Sequence, residues 1–157
     1  MCHDSQVRAL GVDYGLKRIG LAVSDASGTL ARPLATLDRT RLSSEGLAAA
    51  AVLEEVARLD DEPIAVIVVG WPRRLDGSAN EQTSRVEAFA GELRSRASVP
   101  IVLQDERLSS LEADARLALR EKDWRKRKQQ LDAAAAAVIL QDYLDTRPPL
   151  PPSPELL

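Results

Sequence analysis

A run of seven small or apolar residues, Ile64 to Gly70 (IAVIVVG), constrains the fold of this chain more than any other feature. It is bounded by Pro63 and by Trp71-Pro72. A strand that is apolar at every position has to be covered on both faces, which is typical of parallel sheets with helices on either side. The run therefore predicts a central strand of an α/β domain, and 157 residues are enough for one such domain.

The remaining pattern supplies the elements around that strand. Predicted strands cover Val7–Val12, Ile19–Ser24, Thr29–Leu37 (with Pro33 at an edge or bulge) and Val99–Gln104; predicted helices cover 45–59, 80–97, 110–119 and 131–144. Short connections predict an antiparallel meander for the first three strands, and the alternation that follows predicts two strands parallel to the first. This order is that of a ribonuclease H-like α/β fold, a five-stranded mixed sheet flanked by helices. We expect a disordered leader at 1–6, one domain at 7–146 and a Pro-rich tail at 147–157.

One acidic residue, Asp13, interrupts the first apolar strand and has Gly11 and Gly15 as near neighbours. Removing a carboxylate from water without a partner costs several kcal/mol. Asp13 therefore either ends the strand at a solvated edge or holds a cation there. We favour a catalytic metal site, because the glycines leave the surroundings uncrowded.

Other acids are expected at the same edge of the sheet. Asp105 and Glu106 follow the fifth strand, and Asp132 opens the predicted last helix. Ligands of open α/β sheets bind beyond the carboxyl ends of parallel strands, so these acids and Asp13 are expected to meet. Successive residues of a strand face opposite sides, so only one of Asp105 and Glu106 should face the site, and the pattern leaves open which one.

Each acid also has a plainer interpretation. Asp13 would simply mark a solvated strand end, Asp105 or Glu106 would pair with Arg107, and Asp132 would be a first-turn acid favoured by the helix dipole. Their joint placement at one predicted edge favours the functional interpretation.

The available side chains narrow the chemistry. The single histidine, His3, and the single cysteine, Cys2, lie at the very start of the chain, which argues against zinc and against a Ser-His-Asp triad. A cluster of carboxylates suits Mg²⁺ or Mn²⁺. Two such cations can activate a water and stabilise a leaving oxygen, which is what hydrolysis of a phosphodiester requires.

Positive charge is concentrated locally in a chain whose net charge is −3. Residues 120–128 (REKDWRKRK) carry six basic and two acidic side chains and are expected to form a loop beside the site. Such runs are usually solvated, yet this one would attract a phosphate backbone. The candidate nucleic-acid-binding residues are Lys17, Arg18, Arg73, Arg107, Arg125, Lys126, Arg127 and Lys128.

Nothing in the chain predicts secretion or a membrane span. There is one cysteine, no signal peptide and no apolar run of 18 residues. We therefore expect a cytoplasmic protein with no membrane partner.

Four segments, in order, resemble the YqgF/RuvX family: GVDYGLKRIGLAVSD, VVGWPRRLDGS, DERLSSLEA and KRKQQLDAAAAAVILQDYL. The resemblance implies a ribonuclease H-like nuclease related to RuvC that uses Mg²⁺ or Mn²⁺. Carried over, its acids are Asp13, Glu106 and Asp132. The family's proposed roles imply precursor 16S rRNA or a four-way (Holliday) DNA junction as partner, and symmetric cutting of a junction would require a homodimer. Trp71 stands where the family commonly has Leu.

Two alternatives remain from the residues themselves. An actin-like or sugar-kinase-like phosphate-binding protein also begins with Asp-x-Gly before a second strand, although it would need a second domain. A nucleic-acid-binding module without catalysis would share the basic residues but would not need three acids.

Overall fold

The computed structural model describes residues 8–15, 17–59, 63–71, 81–105 and 124–146, with the side chains of 81, 124–132 and 146 outside the description. The strands are β1 (Arg8–Tyr14), β2 (Arg18–Ser24), β3 (Ala31–Asp38), β4 (Ile64–Trp71) and β5 (Ile101–Asp105). The helices are α1 (Glu45–Ala57), α2 (Glu81–Arg96) and α3 (Trp124–Thr146), and a 3₁₀ turn covers Arg39–Arg41. The predicted helix at 110–119, the leader at 1–6 and the tail at 147–157 lie outside the described residues.

The five strands form one mixed sheet in the order β3-β2-β1-β4-β5. Strands β1, β2 and β3 pair antiparallel, whereas β4 lies parallel to β1 and β5 lies parallel to β4. This confirms the predicted sheet of three antiparallel and two parallel strands. The apolar run that forms β4 is central, between β1 and β5, and is buried at nearly every position.

Helices cover both faces of the sheet. On one face, α1 and α2 pack against Leu10, Val12, Tyr14 and alternate residues of the other strands. On the opposite face, α3 packs against Ala9, Ala22, Val66 and Val68. This alternation, which follows from the period of two in a strand, decides which side chains of β1 face each layer.

Helix α3 lies unusually close to β1 because Gly11 has no side chain. A Cβ built on Gly11 would lie 2.7 Å from Leu140 Cβ and 2.9 Å from the carbonyl oxygen of Ala136. The alanine run at 133–137 contributes to the closeness, since Ala136 and Ala137 pack in the same cluster as Ala9 of β1. The position of α3 relative to β1 is therefore determined by small residues on both elements.

The end of α3 is fixed to the turn between β2 and β3. The amide of Ala31 donates to Gln141 Oε1 at 2.9 Å, and Gln141 Nε2 donates to the carbonyl of Thr29 at 2.9 Å. Ala31 pairs with Ser24, whose hydroxyl accepts from the amide of Ala9 at 2.8 Å. Gln141 is thus level with the start of β1, whereas Ala136 is level with Gly11. Helix α3 runs antiparallel to β1, and its earlier residues approach the carboxyl end of that strand.

Two differences between the observed and predicted boundaries bear on the candidate site. The last helix begins at Trp124, so residues 124–128 are helical where the charge pattern predicts a basic loop. Arginine, lysine and glutamine are good helix formers, whereas the dense charge of the basic run is also typical of a solvated loop. Asp132 consequently lies two turns inside α3, and its interpretation as a first-turn acid stabilised by the helix dipole is wrong. Strand β1 also extends beyond Val12 to include Asp13 and Tyr14.

The predicted position of Pro33 at an edge or bulge and the predicted start of the first helix agree with the structure. Pro33 lies in β3, at the edge of the sheet, next to a register shift between Leu21 and Ala22 of the neighbouring strand. Ser44 caps α1, and its hydroxyl accepts from the amide of Leu47 at 3.1 Å. Within the described residues, no helix has the length and apolarity needed to cross a membrane.

Candidate active site

Asp13 is the penultimate residue of β1, at the carboxyl end of the two parallel pairs, and is partly buried. It pairs across the sheet with Gly20 of β2. On the other side, the register of β1 and β4 pairs Val12 with Val69, so the next step brings Gly70 beside Asp13. Both neighbours in its row therefore lack side chains, which leaves space around the carboxylate.

The carboxylate of Asp13 lies on the face of the sheet that α3 covers. Alternation puts Asp13 on the same face as Ala9 and Gly11, which pack against α3. Two residues of a strand span about 6.6 Å, and about four residues of a helix span the same distance. Because Gly11 lies against the turn from Ala136 to Leu140 and α3 is antiparallel to β1, Asp13 is level with positions 132–136. Position 132 is one turn before Ala136 on the same side of the helix.

The sequence pattern leaves open whether Asp105 or Glu106 faces the site, and the position of Asp105 in β5 bears on that choice. Asp105 is the last residue of β5 and is exposed. Asp105 is two residues after Leu103 and four after Ile101, so the three side chains lie on the same face of the sheet. Ile101 and Leu103 pack in the layer of α1 and α2, so Asp105 lies on the face opposite Asp13. Glu106 itself lies outside the described residues.

Two of the predicted cationic residues lie beside Asp13. Lys17 is exposed in the turn between β1 and β2. Arg18 begins β2 two residues before Gly20, on the face of Asp13, and pairs with Asp38 of β3. Arg73 and Arg107 lie outside the described residues. Arg125, Lys126, Arg127 and Lys128 occupy the first two turns of α3, ahead of position 132, with their side chains outside the description.

Behind Asp13, on the other face, Tyr14 anchors the strand end. Its ring is 2% exposed and stacks on Phe89 of α2, with ring centroids 4.1 Å apart and planes 9° apart. Gln82 Nε2, also on α2, donates to the carbonyl of Tyr14 at 2.7 Å. Burial raises the pKa of the Tyr14 phenol, although the nearby Arg39 guanidinium acts in the opposite direction.

Arg39 completes this arrangement from the 3₁₀ turn after β3. Its guanidinium carbon lies 4.2 Å from the centroid of the Tyr14 ring, and Nη1 donates to the carbonyl of Gly15 at 3.0 Å. Sequence reasoning missed Arg39 and Gln82. Arg39 stands in an exposed-looking charged segment, LDRTRLSS, and no local signal indicates that it is buried.

The turn next to Asp13 requires glycine at position 15. The amide of Gly15 donates to the carbonyl of Arg18 at 3.0 Å, and a Cβ on Gly15 would lie 2.6 Å from that oxygen. A side chain at this position would therefore force β1 and β2 apart next to Asp13.

The carboxylate of Asp13 is a donor of the kind that hard divalent cations take. Asp13 supplies carboxylate oxygens beside two glycines, which is the chemistry that Mg²⁺ and Mn²⁺ prefer. No group of three His, Cys, Asp or Glu residues suited to a metal occurs among the described side chains, which include neither Glu106 nor the side chain of Asp132.

Comparison with known proteins supports a specific family. Residues 7–146 match the family model described as "RuvX: Holliday junction resolvase". The chain belongs to the RuvX family.

Two curated relatives of this RuvX-family chain share the name "Putative pre-16S rRNA nuclease". The protein of Anaeromyxobacter dehalogenans (strain 2CP-1 / ATCC BAA-258) is 46% identical over 143 residues, covering 91% of this chain and 100% of the relative. That of Geobacillus thermodenitrificans (strain NG80-2) is 39% identical over 145 residues, covering 90% and 99%. The match extends over nearly the full length of both relatives.

A solved structure shows the same fold. RuvC of T. thermophilus, in complex with a Holliday junction substrate, superposes with a TM-score of 0.56 at 20% sequence identity. The superposition covers 92% of this RuvX-family chain and 99% of RuvC. The sheet of this chain is therefore the RuvC-like, ribonuclease H-like sheet that the sequence predicts.

Trp71, the residue at which the sequence is expected to depart from the family pattern, ends β4. It has the parity of Val69, so it lies on the face of α1 and α2 rather than beside Asp13.

Proposed function

We propose that this chain is a divalent-metal-dependent endonuclease that hydrolyses phosphodiesters in structured nucleic acid. The observation that carries the proposal is the position of Asp13. Its carboxylate lies at the carboxyl end of the parallel strands, between two glycines and level with positions 132–136 of α3. Ligand sites of open α/β sheets lie at this edge.

In this proposal Asp13, Glu106 and Asp132 hold the metal. Asp105 faces away from Asp13, which leaves Glu106 as the acid of that pair that we assign. Asp132 lies two turns inside α3, so stabilisation of the helix start does not account for an acid there. When bound, Mg²⁺ or Mn²⁺ would activate water and stabilise the leaving oxygen.

The basic residues are assigned to the phosphate backbone. Lys17 and Arg18 stand at the turn beside Asp13, where they would neutralise phosphates next to the scissile bond. The same role is proposed for Arg73, Arg107, Arg125, Lys126, Arg127 and Lys128. The helical start of α3 would present its four basic residues on a rigid element rather than on a loop.

Precursor 16S rRNA is the substrate we favour. Two relatives, 46% and 39% identical to this chain over nearly their full length, are both named as pre-16S rRNA nucleases. A four-way DNA junction is the second candidate, since the family description names it. Membership of the RuvX family offers no support to a sugar-kinase-like phosphate-binding function. A cytoplasmic location follows from either nuclease role.

The test is cleavage of end-labelled substrates by the full chain. We expect an RNA spanning the 5′ end of precursor 16S rRNA to be cut with Mg²⁺ or Mn²⁺ and left intact with EDTA. A synthetic four-way junction, a linear duplex and an unstructured RNA serve as comparisons. Equal cleavage with and without EDTA would contradict the metal dependence, and cleavage of the junction in preference to the RNA would reverse the choice of substrate.

The oligomeric state provides a second readout. Symmetric resolution of a junction requires two active sites, so a resolvase should be a homodimer. Sedimentation of the chain with each substrate separates the two roles. A strict monomer bound to RNA supports processing of precursor rRNA, whereas a dimer bound to the junction supports resolution.

A further inference from the structure

An almost buried arginine, Arg39, holds the backbone on both sides of the turn that follows Asp13. Its side chain is 13% exposed. Nη1 donates to the carbonyl of Gly15 at 3.0 Å, and its own backbone amide donates to the carbonyl of Lys17 at 2.9 Å. The side chain therefore holds the end of β1, while the bond from the backbone amide continues the pairing of β3 with β2.

The guanidinium is held by the layer of the fold opposite Asp13. It lies 4.2 Å from the centroid of the Tyr14 ring, which in turn stacks on Phe89 of α2. Nη2 lies 3.8 Å from Glu45 Oε1, at the start of α1. Arginine suits this place better than lysine, because its planar fork can stack on a ring and donate in two directions at once.

This position excludes direct contact between Arg39 and a substrate bound at Asp13. Tyr14 and Asp13 are adjacent in a strand, so their side chains leave the sheet on opposite faces. Arg39 packs on the Tyr14 face. What it can influence is where the strand end lies, and so where the carboxylate of Asp13 is presented.

A second side chain acts on the same segment. Gln82 of α2 donates to the carbonyl of Tyr14 at 2.7 Å. The carbonyls of Tyr14 and Gly15 thus each accept a hydrogen bond from a side chain of another element of the fold.

We propose that Arg39 is a positioning residue for the metal site: through its hydrogen bond to the Gly15 carbonyl and its packing on the Tyr14 ring, the guanidinium fixes the carboxylate of Asp13 in the geometry that binds the cation. This inference rests on the proposed function, because it assumes that Asp13 is a metal ligand. Residues that orient a ligand from behind affect metal affinity and activity without touching the metal.

The experiment measures Mn²⁺ binding to the full chain, without substrate, by the electron paramagnetic resonance signal of free Mn²⁺. The variants are Arg39→Met, which retains only the apolar bulk, and Arg39→Lys, which retains the charge without the fork. Arg58→Met is the matched control, since Arg58 is an exposed arginine at the end of α1 whose contact is with Glu55 at 2.7 Å. Asp13→Asn reports whether the measured site contains Asp13.

We expect Arg39→Met to weaken Mn²⁺ binding by about 10-fold or more, as removal of an orienting residue typically does. Arg39→Lys should weaken binding by a smaller factor, and Arg58→Met should leave it unchanged. The loss should persist well below the melting temperature of each variant, which separates positioning from a purely structural role. In cleavage assays the Mg²⁺ concentration for half-maximal activity should rise, while the KM for nucleic acid should stay close to that of the unmodified chain.

Each outcome has one meaning. If Asp13→Asn weakens Mn²⁺ binding and both Arg39 variants bind as the unmodified chain does, the positioning role is wrong while the metal site stands. If Asp13→Asn binds Mn²⁺ normally, the metal site itself is wrong. If Arg39→Met does not fold, Arg39→Lys decides: normal affinity in that folded variant overturns the proposal.

Discussion

At the scale of single residues, Asp13 and Tyr14 are neighbours at the end of β1 and have different roles. Asp13 faces α3 and is assigned to the cation, whereas Tyr14 faces α1 and α2 and is 2% exposed. The Tyr14 ring offsets the presence of an acid at the strand end, because the ring buries apolar surface there and the Asp13 carboxylate does not. Substitutions at the two positions should therefore affect different properties.

Tyr14→Phe should leave the melting temperature unchanged or raise it. The Tyr14 hydroxyl is buried and has no hydrogen-bond partner among the described residues. Burying an unsatisfied hydroxyl costs about 1–3 kcal/mol, and phenylalanine keeps the stacking on Phe89 while removing that cost. Thermal unfolding followed by circular dichroism measures the effect. A marked fall in melting temperature would show that the hydroxyl has a stabilising partner after all.

Sequence alone identifies some of these residues. Asp13 is recognisable because an acid within an apolar strand conflicts with burial. Arg39 is not, since nothing local distinguishes it from the exposed Arg41 two positions later. Its burial depends on Tyr14 and Glu45, and Tyr14 is distant in sequence and reaches Arg39 only when β3 pairs with β2.

At the scale of elements, α3 departs most from expectation. The sequence predicts its start at Leu131, because the alanine run is typical of a helix and the basic run is typical of a loop. The helix begins at Trp124, so the basic residues and position 132 belong to one helix. Charge patterns describe solvation and do not distinguish a helix from a loop, so this boundary is not predictable from charge.

The close contact between α3 and β1 predicts the effect of two glycine substitutions. Gly11→Ala should destabilise the fold by about 1–3 kcal/mol, because its Cβ would lie 2.7 Å from Leu140 Cβ. Gly91→Ala is the matched control. Gly91 lies within α2, where an added Cβ would have nothing within 4 Å, and the variant should gain about 0.5–1 kcal/mol from alanine's helix propensity.

Chemical denaturation of both glycine variants gives the free energies of unfolding. Opposite signs are expected for the two substitutions. Equal stability of Gly11→Ala and the unmodified chain would mean that α3 does not lie against Gly11, and the alignment of position 132 with Asp13 would then lose its basis.

At the scale of the whole molecule, the architecture follows from a few strong signals. The continuous apolar run predicts β4 as a central strand, and the order of elements predicts a meander followed by two parallel strands. Parallel strands bring their carboxyl ends to one edge, and the location proposed for the site follows from that. The sequence does not predict which face of the sheet carries the site, because this depends on which face of β1 packs against α3.

The central claim is that the carboxylate of Asp13 is required for metal-dependent cleavage, and Asp13→Asn tests it most directly. Asparagine keeps the size of the side chain and removes the charge that a hard cation needs. Asp25→Asn is the matched control. Asp25 follows β2 at the opposite end of the sheet, where it accepts from the amides of Thr29 at 2.8 Å and Leu30 at 3.2 Å.

The measurement is the Mg²⁺-dependent rate of cleavage of the precursor rRNA substrate by folded protein of each kind. We predict that Asp13→Asn lowers the rate by about 100-fold or more while the melting temperature is retained, and that Asp25→Asn cleaves at the rate of the unmodified chain. Undiminished cleavage by Asp13→Asn would contradict the assignment of Asp13 to the metal.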